Sequence, residues 1–294
     1  MTASTSSAAV SRPQTSPLRL LLRRLFRRRL VLVSAVVLAL IVLAVLAADW
    51  LAPFAPNKMS LANRLKGPNG TYWFGTNEYG QDLLSRVLYG GQVSLLVGGL
   101  VAAFACVAGA IGGLLAGYIR PLDGPIMRLT DAMMAFPDIL LAIALMAGLG
   151  PSLMNVVLAL GIVYTPRVLR VARAATLVIR EMQYVEAARA LGIAPWRVML
   201  SEILPNLSSP IIVQGTFVFA YAILTEAALS FLGVGTPPTT PTWGNMIAAS
   251  QQYIGQADWL MAFPGLAIVL TVLSLQIVGD GLRDSLDPRL QKSS

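Results

Sequence analysis

Few side chains in this sequence could do covalent or acid–base chemistry. The 294 residues include no histidine and a single cysteine, Cys106, which lies inside an apolar segment. A disulfide framework and a zinc site built from histidine and cysteine are therefore excluded. The phosphate-binding pattern G-x-x-x-x-G-K-[ST] and the serine-hydrolase pattern G-x-S-x-G do not occur either. We therefore expect that the chain is not an enzyme and does not itself hydrolyse ATP.

One carboxylate lies deep in an apolar segment. Glu226 stands in the run TEAALSFLG, with no other charge near it. An ionised carboxylate at the centre of a bilayer costs about 2.5–3.5 kcal/mol on insertion scales, so such a residue faces a pore or a protein partner. Glu226 is therefore expected to line a pore or a subunit interface, or to form a structural pair with a basic residue of a neighbouring helix. The sequence leaves both interpretations open.

A charged stretch between two long apolar segments, Glu181–Pro205, has the pattern of a helical hairpin. Its first half is rich in alanine, a strong helix former. Gly192 is well placed to end that helix in a left-handed conformation, and Pro195 suits the first turn of the next helix. Pro205 marks the expected start of the following element. Exposed apolar residues near the bend would form a docking surface for another protein: Leu191, Ile193 and Trp196.

This hairpin resembles the EAA loop of ABC-importer permeases. The match consists of Glu186-Ala187-Ala188, then Gly192 after three further residues, and finally Leu204-Pro205. Glu202 stands where the looser pattern has an isoleucine. In that family the loop is the coupling helix that inserts into a cleft of a separate ATPase subunit; the alternative is an ordinary cytosolic loop. The resemblance implies these coupling residues: Glu186, Ala187, Ala188, Arg189, Leu191, Gly192, Ile193, Trp196, Leu204 and Pro205.

Three further blocks resemble the dipeptide, oligopeptide and nickel branch of these permeases. The first, FGTNEYGQDLLSR at Phe74–Arg86, has Asn77 and Gln81 where aspartate and arginine are usual. The second runs from Thr225 to Met246, and the third is GLRDSLDPR at Gly281–Arg289. With the hairpin, four blocks agree with the branch in order and spacing.

The elements that must position these residues are membrane helices. The chain is 56% hydrophobic and 12% charged, whereas a soluble domain carries about 25% charged residues. Six apolar segments predict an all-α, polytopic membrane bundle of six spans: Leu30–Ala48, Val93–Tyr118, Ala132–Leu149, Met154–Val171, Leu207–Leu232 and Trp259–Gly279. The first is long enough for an uncleaved anchor rather than a signal peptide. Three glycines at four-residue spacing predict a close-packed face in the second span: Gly109, Gly113 and Gly117.

The basic residues predict the orientation of the bundle. With the N-terminus inside, 18 of the 22 Lys and Arg residues fall on the cytoplasmic side and four fall outside. Arg167, Arg170 and Arg173 are among the cytoplasmic ones. This bias accounts for the net charge of +8, and nucleic-acid binding is not needed to explain it. Three tryptophans are expected in an aromatic belt at the outer boundary: Trp50, Trp243 and Trp259.

The predicted organisation follows from these segments. It comprises a disordered, basic cytosolic tail at 1–29, a first span at 30–48, an extracytoplasmic segment at 49–91, a five-helix permease core at 92–280 with a cytosolic EAA loop at 176–206, and a cytosolic tail at 281–294. Both termini are expected in the cytoplasm of a bacterial cell, with the bundle in its inner membrane.

The resemblance implies a type I ABC-importer permease fold and import of dipeptides or oligopeptides. It implies three kinds of partner besides the bilayer: a homologous permease in a heterodimer, one or two cytosolic ATPases and an extracytoplasmic substrate-binding protein. ATP and magnesium would be bound by the ATPases, and no cofactor or metal by this chain. Nickel and heme importers of the same family are alternatives. An ion-coupled secondary transporter is the alternative from another class, and Glu226 is its only support.

Overall fold

The computed structural model describes residues 28–237 and 239–286. The predicted tail up to residue 27 and the last residues, 287–294, lie outside this range, as does the end of the third resembling block. The described residues are helical, and their one β-type pairing is an isolated bridge between Thr76 and Asp82. The prediction of an all-α bundle is confirmed.

Eleven α-helices follow one another in the described part of the chain. They are α1 Arg29–Leu46, α2 Ala48–Leu51, α3 Leu83–Tyr118, α4 Arg120–Met134, α5 Asp138–Leu149, α6 Leu153–Ile179, α7 Gln183–Ala190, α8 Pro195–Val198, α9 Leu204–Phe231, α10 Trp243–Ser250 and α11 Trp259–Leu286. Short 3₁₀ turns lie at Leu61–Asn63 and Gln251–Tyr253, and a π-helical segment, Met199–Ile203, joins α8 to α9. Three spans extend well beyond their predicted bounds, because α3 begins at Leu83, α6 continues to Ile179 and α11 continues to Leu286.

The predicted third span, Ala132–Leu149, is not one helix. It is divided between α4 and α5, which meet at an angle of 94°. The break lies at Pro137, whose ring removes a backbone donor and disfavours the helical conformation of the residue before it. Within residues 28–237 and 239–286, five helices are long and apolar enough to cross a membrane, or six if the bent pair counts as one span.

The glycine face of α3 packs against α6, as its spacing predicts. A Cβ atom on Gly113 would lie 2.5 Å from the Cβ of Ala172, and one on Gly109 or Gly117 would lie 2.6 Å from its neighbour. The contacted residues of α6 recur at the same four-residue spacing: Val168, Ala172 and Thr176. The two helices therefore approach at backbone distance along the C-terminal part of α3.

The segment after α9 folds back into the end of the bundle that lies opposite the hairpin Glu181–Pro205. Trp243 begins α10 and is 1% exposed, and its indole N–H donates to the Val87 carbonyl at 2.9 Å. The expectation that Trp243 belongs to an aromatic belt is therefore wrong, because the ring fills a gap beside Gly91 in α3. Trp50 lies in α2, immediately after α1, and is 88% exposed, so its place in a belt stays a prediction.

The block Phe74–Arg86 fixes the start of α3. The Asp82 carboxylate caps the helix by accepting from the backbone N–H of Ser85 at 2.8 Å. The Asn77 amide donates to Gln81 Oε1 at 2.8 Å, and Arg86 donates to the same oxygen at 2.7 Å. Asn77 and Gln81, the two departures from the resembling pattern, are thus hydrogen-bonded to each other. A neutral amide pair stands where an aspartate and an arginine are usual.

Candidate functional site

The hairpin Glu181–Pro205, called the coupling hairpin below, turns at Gly192. This glycine has φ +76°, a conformation that residues with a Cβ rarely adopt. The Gly192 N–H donates to the Arg189 carbonyl at 2.9 Å, and the Ile193 N–H donates to the Ala188 carbonyl at 3.2 Å. These two bonds form a Schellman motif, which satisfies the last carbonyls of α7. The predicted left-handed end of the first helix is confirmed.

The second arm of the coupling hairpin differs from the prediction. Pro195 starts it and Pro205 lies in the first turn of α9, both as expected, but no break separates the two helices, because helical structure continues from Pro195 to Phe231. The π-helical segment Met199–Ile203 lies immediately before Pro205, whose missing N–H would leave a regular α-helical turn without one hydrogen bond. The second arm and the span α9 are therefore mechanically continuous.

The apolar residues at the bend have two different positions. Leu191 is 81% exposed and Trp196 is 56% exposed. Ile193 is half-buried and packs in a cluster with Ala188 and Val198. Ile193 folds back onto α7, so only two of the three apolar residues expected at the docking surface are free on the surface. Leu191 and Trp196 thus form the exposed apolar tip of the hairpin.

The remaining residues for which the resemblance implies a coupling role lie along α7 and the start of α9. Glu186 and Ala187 are exposed in α7, while Ala188 is buried. The guanidinium carbon of Arg189 lies 4.9 Å from the ring centroid of Tyr118 at the end of α3, a cation–π distance. In the second arm, Leu204 is half-buried and Pro205 is exposed.

Glu226 lies inside the packing of the chain. It is 1% exposed, and its Oε1 atom accepts hydrogen bonds from three hydroxyl groups. The donors are Ser230 at 2.8 Å, Thr242 at 3.1 Å and Thr236 at 3.2 Å. Its Oε2 atom has no hydrogen-bond partner, and Glu226 forms no ion pair, within the part of the chain that the structure describes.

This geometry supports neither of the two roles expected for Glu226. A carboxylate that is 1% exposed lines no open surface of this chain, and the basic partner of the alternative interpretation is missing from the described residues. Thr236 and Thr242 belong to the segment between α9 and α10, so the carboxylate ties that segment to α9. Sequence reasoning missed the three hydroxyl donors because two of them come from a loop without helical periodicity.

Sequence reasoning also missed a row of three ion pairs between α6 and the bent pair α4–α5. Arg167, Arg170 and Arg173 had been assigned to the cytoplasmic side, but all lie within α6, which continues to Ile179. Their partners are Asp138, Asp131 and Asp123, respectively. The Arg173 pair is bidentate, with N···O distances of 2.5 and 2.6 Å. The i, i+3, i+6 spacing of the arginines was the available signal, since it places them on one helical face.

Comparison with protein families identifies the chain. Residues 108–292 match the family described as "Binding-protein-dependent transport system inner membrane component". The chain belongs to this family. Residues 16–68 match a second description, the N-terminal TM domain of oligopeptide transport permease C. These matches confirm the resemblance to ABC-importer permeases, which was inferred from four blocks of sequence.

Individual relatives agree with the family. A chain of Brucella suis biovar 1, whose name assigns it provisionally to a peptide transport system as a permease, is 47% identical over 293 residues, which are 99% of each chain. The di/tripeptide transport system permease protein DppC of Pseudomonas aeruginosa is 43% identical over 85% of this chain and 84% of its own length. The dipeptide transport system permease protein DppC of Alkalihalophilus pseudofirmus is 46% identical over 78% of this chain and 76% of its own length.

Solved structures show the same fold. A chain of the methionine ABC transporter MetNI in an inward-facing conformation matches with a TM-score of 0.57 at 20% identity, covering 68% of this chain and 96% of that chain. A second crystal form matches with a TM-score of 0.56. The described helices thus have the permease fold of an ABC importer.

Proposed function

We propose that this chain is the permease subunit of an ATP-driven importer that moves peptides across the bacterial inner membrane. The support for a peptide cargo is that the relatives described above are named as peptide permeases. Nickel and heme importers of the same family have no such support. The transport cycle would expose the pathway alternately to the two sides of the membrane.

The observation that carries this proposal is the construction of the coupling hairpin. Its tip exposes Leu191 and Trp196, and exposed apolar groups of this size on a rigid bend favour a protein partner. Its second arm continues without interruption into α9. A partner that moved the tip would therefore move a membrane span with it. We assign this docking role to a separate cytosolic ATPase subunit, which would bind ATP and magnesium.

The other partners belong to the same proposal. A homologous permease would complete the pathway as a heterodimer, and an extracytoplasmic binding protein would deliver the peptide. The orientation has both termini in the cytoplasm. Arg28 at the start of α1 forms an ion pair with Asp284 near the end of α11, so these two ends lie on one side of the membrane. The alternative of an ion-coupled transporter rested on Glu226, whose three hydroxyl partners give it a role in packing instead.

The test is purification of the whole importer from cells that co-express this chain with the products of neighbouring genes. We expect an ATPase to co-purify, and its hydrolysis to rise when peptide-loaded binding protein is added. The double variant Leu191→Ala/Trp196→Ala should lose most of the co-purified ATPase, because it removes the exposed apolar tip. Leu40→Ala is the matched control, since Leu40 is 61% exposed on α1, away from the hairpin.

Three results would contradict the proposal. One is a purified complex without an ATPase. Another is a double variant that keeps the ATPase as well as Leu40→Ala does. The third is hydrolysis that does not respond to any peptide but rises with a nickel-loaded or heme-loaded binding protein, which would leave the permease assignment intact and refute the peptide cargo.

A further inference from the structure

A charged and aromatic cluster lies where α5, α6 and α9 meet. It consists of the ion pair Arg167–Asp138 and the rings of Tyr164 and Tyr221. We propose that this cluster is a binding station for the charged termini of the transported peptide. The inference rests on the proposed function and adds to it a site within this chain.

Distances counted along the helices place the cluster about half a bilayer thickness from three helix ends. Helices rise about 1.5 Å per residue, so Arg167 is about 21 Å along α6 from Leu153, and Tyr221 is about 15 Å along α9 from Phe231. Asp138 is about 17 Å from the far end of α5 by the same measure. The three helix ends from which these distances are counted are Leu149, Leu153 and Phe231. They lie on one side of a hydrocarbon core about 30 Å thick. The sequence of spans places all three groups at similar depth.

The ion pair at this depth is not enclosed by the chain. The side chains of Arg167 and Asp138 are 34% and 33% exposed, and Tyr221 is 40% exposed beside them. Charged side chains within the membrane are costly and face a protein interior or a water-filled cavity rather than lipid. The open side of this cluster therefore faces a water-filled path or another subunit.

The two aromatic rings hold the arginine in place. The guanidinium carbon of Arg167 lies 5.5 Å from the ring centroid of Tyr164 and 5.4 Å from that of Tyr221. The Tyr164 hydroxyl is itself held at 2.6 Å from the hydroxyl of Thr225 in α9, and Tyr164 is 2% exposed. One ring thus anchors the cluster inside the bundle while the other lies at its open edge. A preorganised, partly open guanidinium is suited to accept a ligand.

The chemistry of the cluster matches a zwitterionic peptide. A guanidinium binds a carboxylate through two parallel hydrogen bonds, and an ammonium group can bind both a carboxylate and the face of a tyrosine ring. A peptide that arrived with both termini charged could exchange the internal Arg167–Asp138 pair for two pairs of its own. No net charge would then be left unpaired in the membrane. The next ion pair along α6, Arg170–Asp131, has no aromatic ring beside it among the described residues. The Arg170 side chain is 45% exposed and that of Asp131 is 58% exposed.

The test uses the complete importer in proteoliposomes with wild-type binding protein and two cargoes. One is a tripeptide with free termini, and the other is its C-terminal amide, supplied at a concentration that saturates the binding protein. Arg167→Gln should lower uptake of the free tripeptide by about tenfold or more, as expected for the loss of a charged hydrogen-bond donor. Uptake of the amide should fall much less, so the ratio of the two uptake rates should drop. Arg170→Gln, the control, should change either rate by about threefold at most.

A second readout locates the peptide directly. A tripeptide that carries a photoreactive benzophenone is cross-linked during turnover, and the adducts are mapped by mass spectrometry. We expect adducts in the peptides of this chain that contain Asp138, Tyr164 or Tyr221. In the Arg167→Gln importer these adducts should be reduced, which a purely structural ion pair would not predict for a complex that still assembles.

Several outcomes would overturn the station. Equal loss of both cargoes with Arg167→Gln would make the ion pair a structural contact, and adducts confined to other segments would place the path elsewhere. Loss of the second permease from the purified Arg167→Gln complex would make the cluster a subunit contact. Absence of uptake of either cargo by the wild-type importer would refute the proposed function itself, and the station with it.

Discussion

The two ends of the bundle use similar residues in opposite ways. At one end, the coupling hairpin leaves Leu191 and Trp196 on the surface. At the opposite end, Trp243 is 1% exposed and the Oε1 atom of Glu226 accepts from three hydroxyl groups. The tryptophan of the second region is therefore enclosed by this chain, whereas the tryptophan of the hairpin remains on the surface.

Two glycines show the same difference at the scale of one residue. Gly192 in the hairpin needs its positive φ, yet a Cβ there would meet no atom within 4 Å. Gly113 in α3 has ordinary helical geometry, yet a Cβ there would lie 2.5 Å from Ala172 and 2.6 Å from the Leu169 carbonyl. Position 192 requires glycine because of its backbone conformation, and position 113 requires glycine because there is no space for a Cβ atom. Substitution at each therefore tests a different property of the protein.

The largest effect is expected for Gly113→Val, which forces α3 and α6 apart. Overpacking of this kind costs about 1–3 kcal/mol and occasionally more, so the yield of monodisperse protein in detergent and the midpoint of thermal unfolding should both fall. Gly99→Val is the control on the same helix, because a Cβ at Gly99 would meet no atom within 4 Å. Equal stability of the two variants would contradict the close packing of these helices.

A smaller effect is expected at the outer end. Glu226→Leu removes the acceptor of three buried hydroxyls, and a buried donor without a partner costs about 1–3 kcal/mol. The segment that begins α10 should loosen, so a cysteine introduced at the exposed Ala249 should react faster with a thiol reagent, and transport or assembly should be impaired. Glu226→Gln keeps an acceptor oxygen, so its labelling rate should lie between those of the wild type and Glu226→Leu. If Glu226→Leu left labelling, uptake and complex yield unchanged, the carboxylate would not hold this segment.

Gly192→Val should affect coupling more than folding. A β-branched residue at φ +76° is strained by about 1–2 kcal/mol, so the second arm should shift and misplace Trp196. We expect near-normal yield of the permease, with less co-purified ATPase or hydrolysis that no longer responds to loaded binding protein. Gly192→Asn is the control, since asparagine tolerates this conformation. Wild-type uptake by the valine variant would mean that the bend is not part of the coupling surface.

The smallest perturbation tests which end faces the cytoplasm. In a Cys106→Ser background, Ile254→Cys and Leu191→Cys each place a thiol on an exposed side chain, at the outer and cytoplasmic ends respectively. An impermeant thiol reagent added to whole cells, with any outer envelope permeabilised, should label the cysteine at 254 and spare the one at 191. Neither change should alter stability measurably. Labelling only at 191 would invert the orientation, and labelling of both would rule out the proposed topology.

The features that follow from short stretches of sequence were predictable. The Schellman motif at Gly192 depends on a helix of good formers followed by a glycine, and it forms as expected. The glycine face of α3 depends on a four-residue repeat, which any α-helix turns into a stripe. The membrane class follows from composition, because long apolar segments with few charges have no other stable environment.

Other features were decided by contacts between residues far apart in the chain. The bend between α4 and α5 depends on Pro137 and on ion pairs to α6, such as Arg170 with Asp131, 39 residues away. The burial of Trp243 depends on the space beside Gly91, and two of the three partners of Glu226 come from a loop. A helix propensity or a hydrophobic period describes one element at a time. Which elements meet, and therefore which charges and rings share a site, is determined only when the helices pack together.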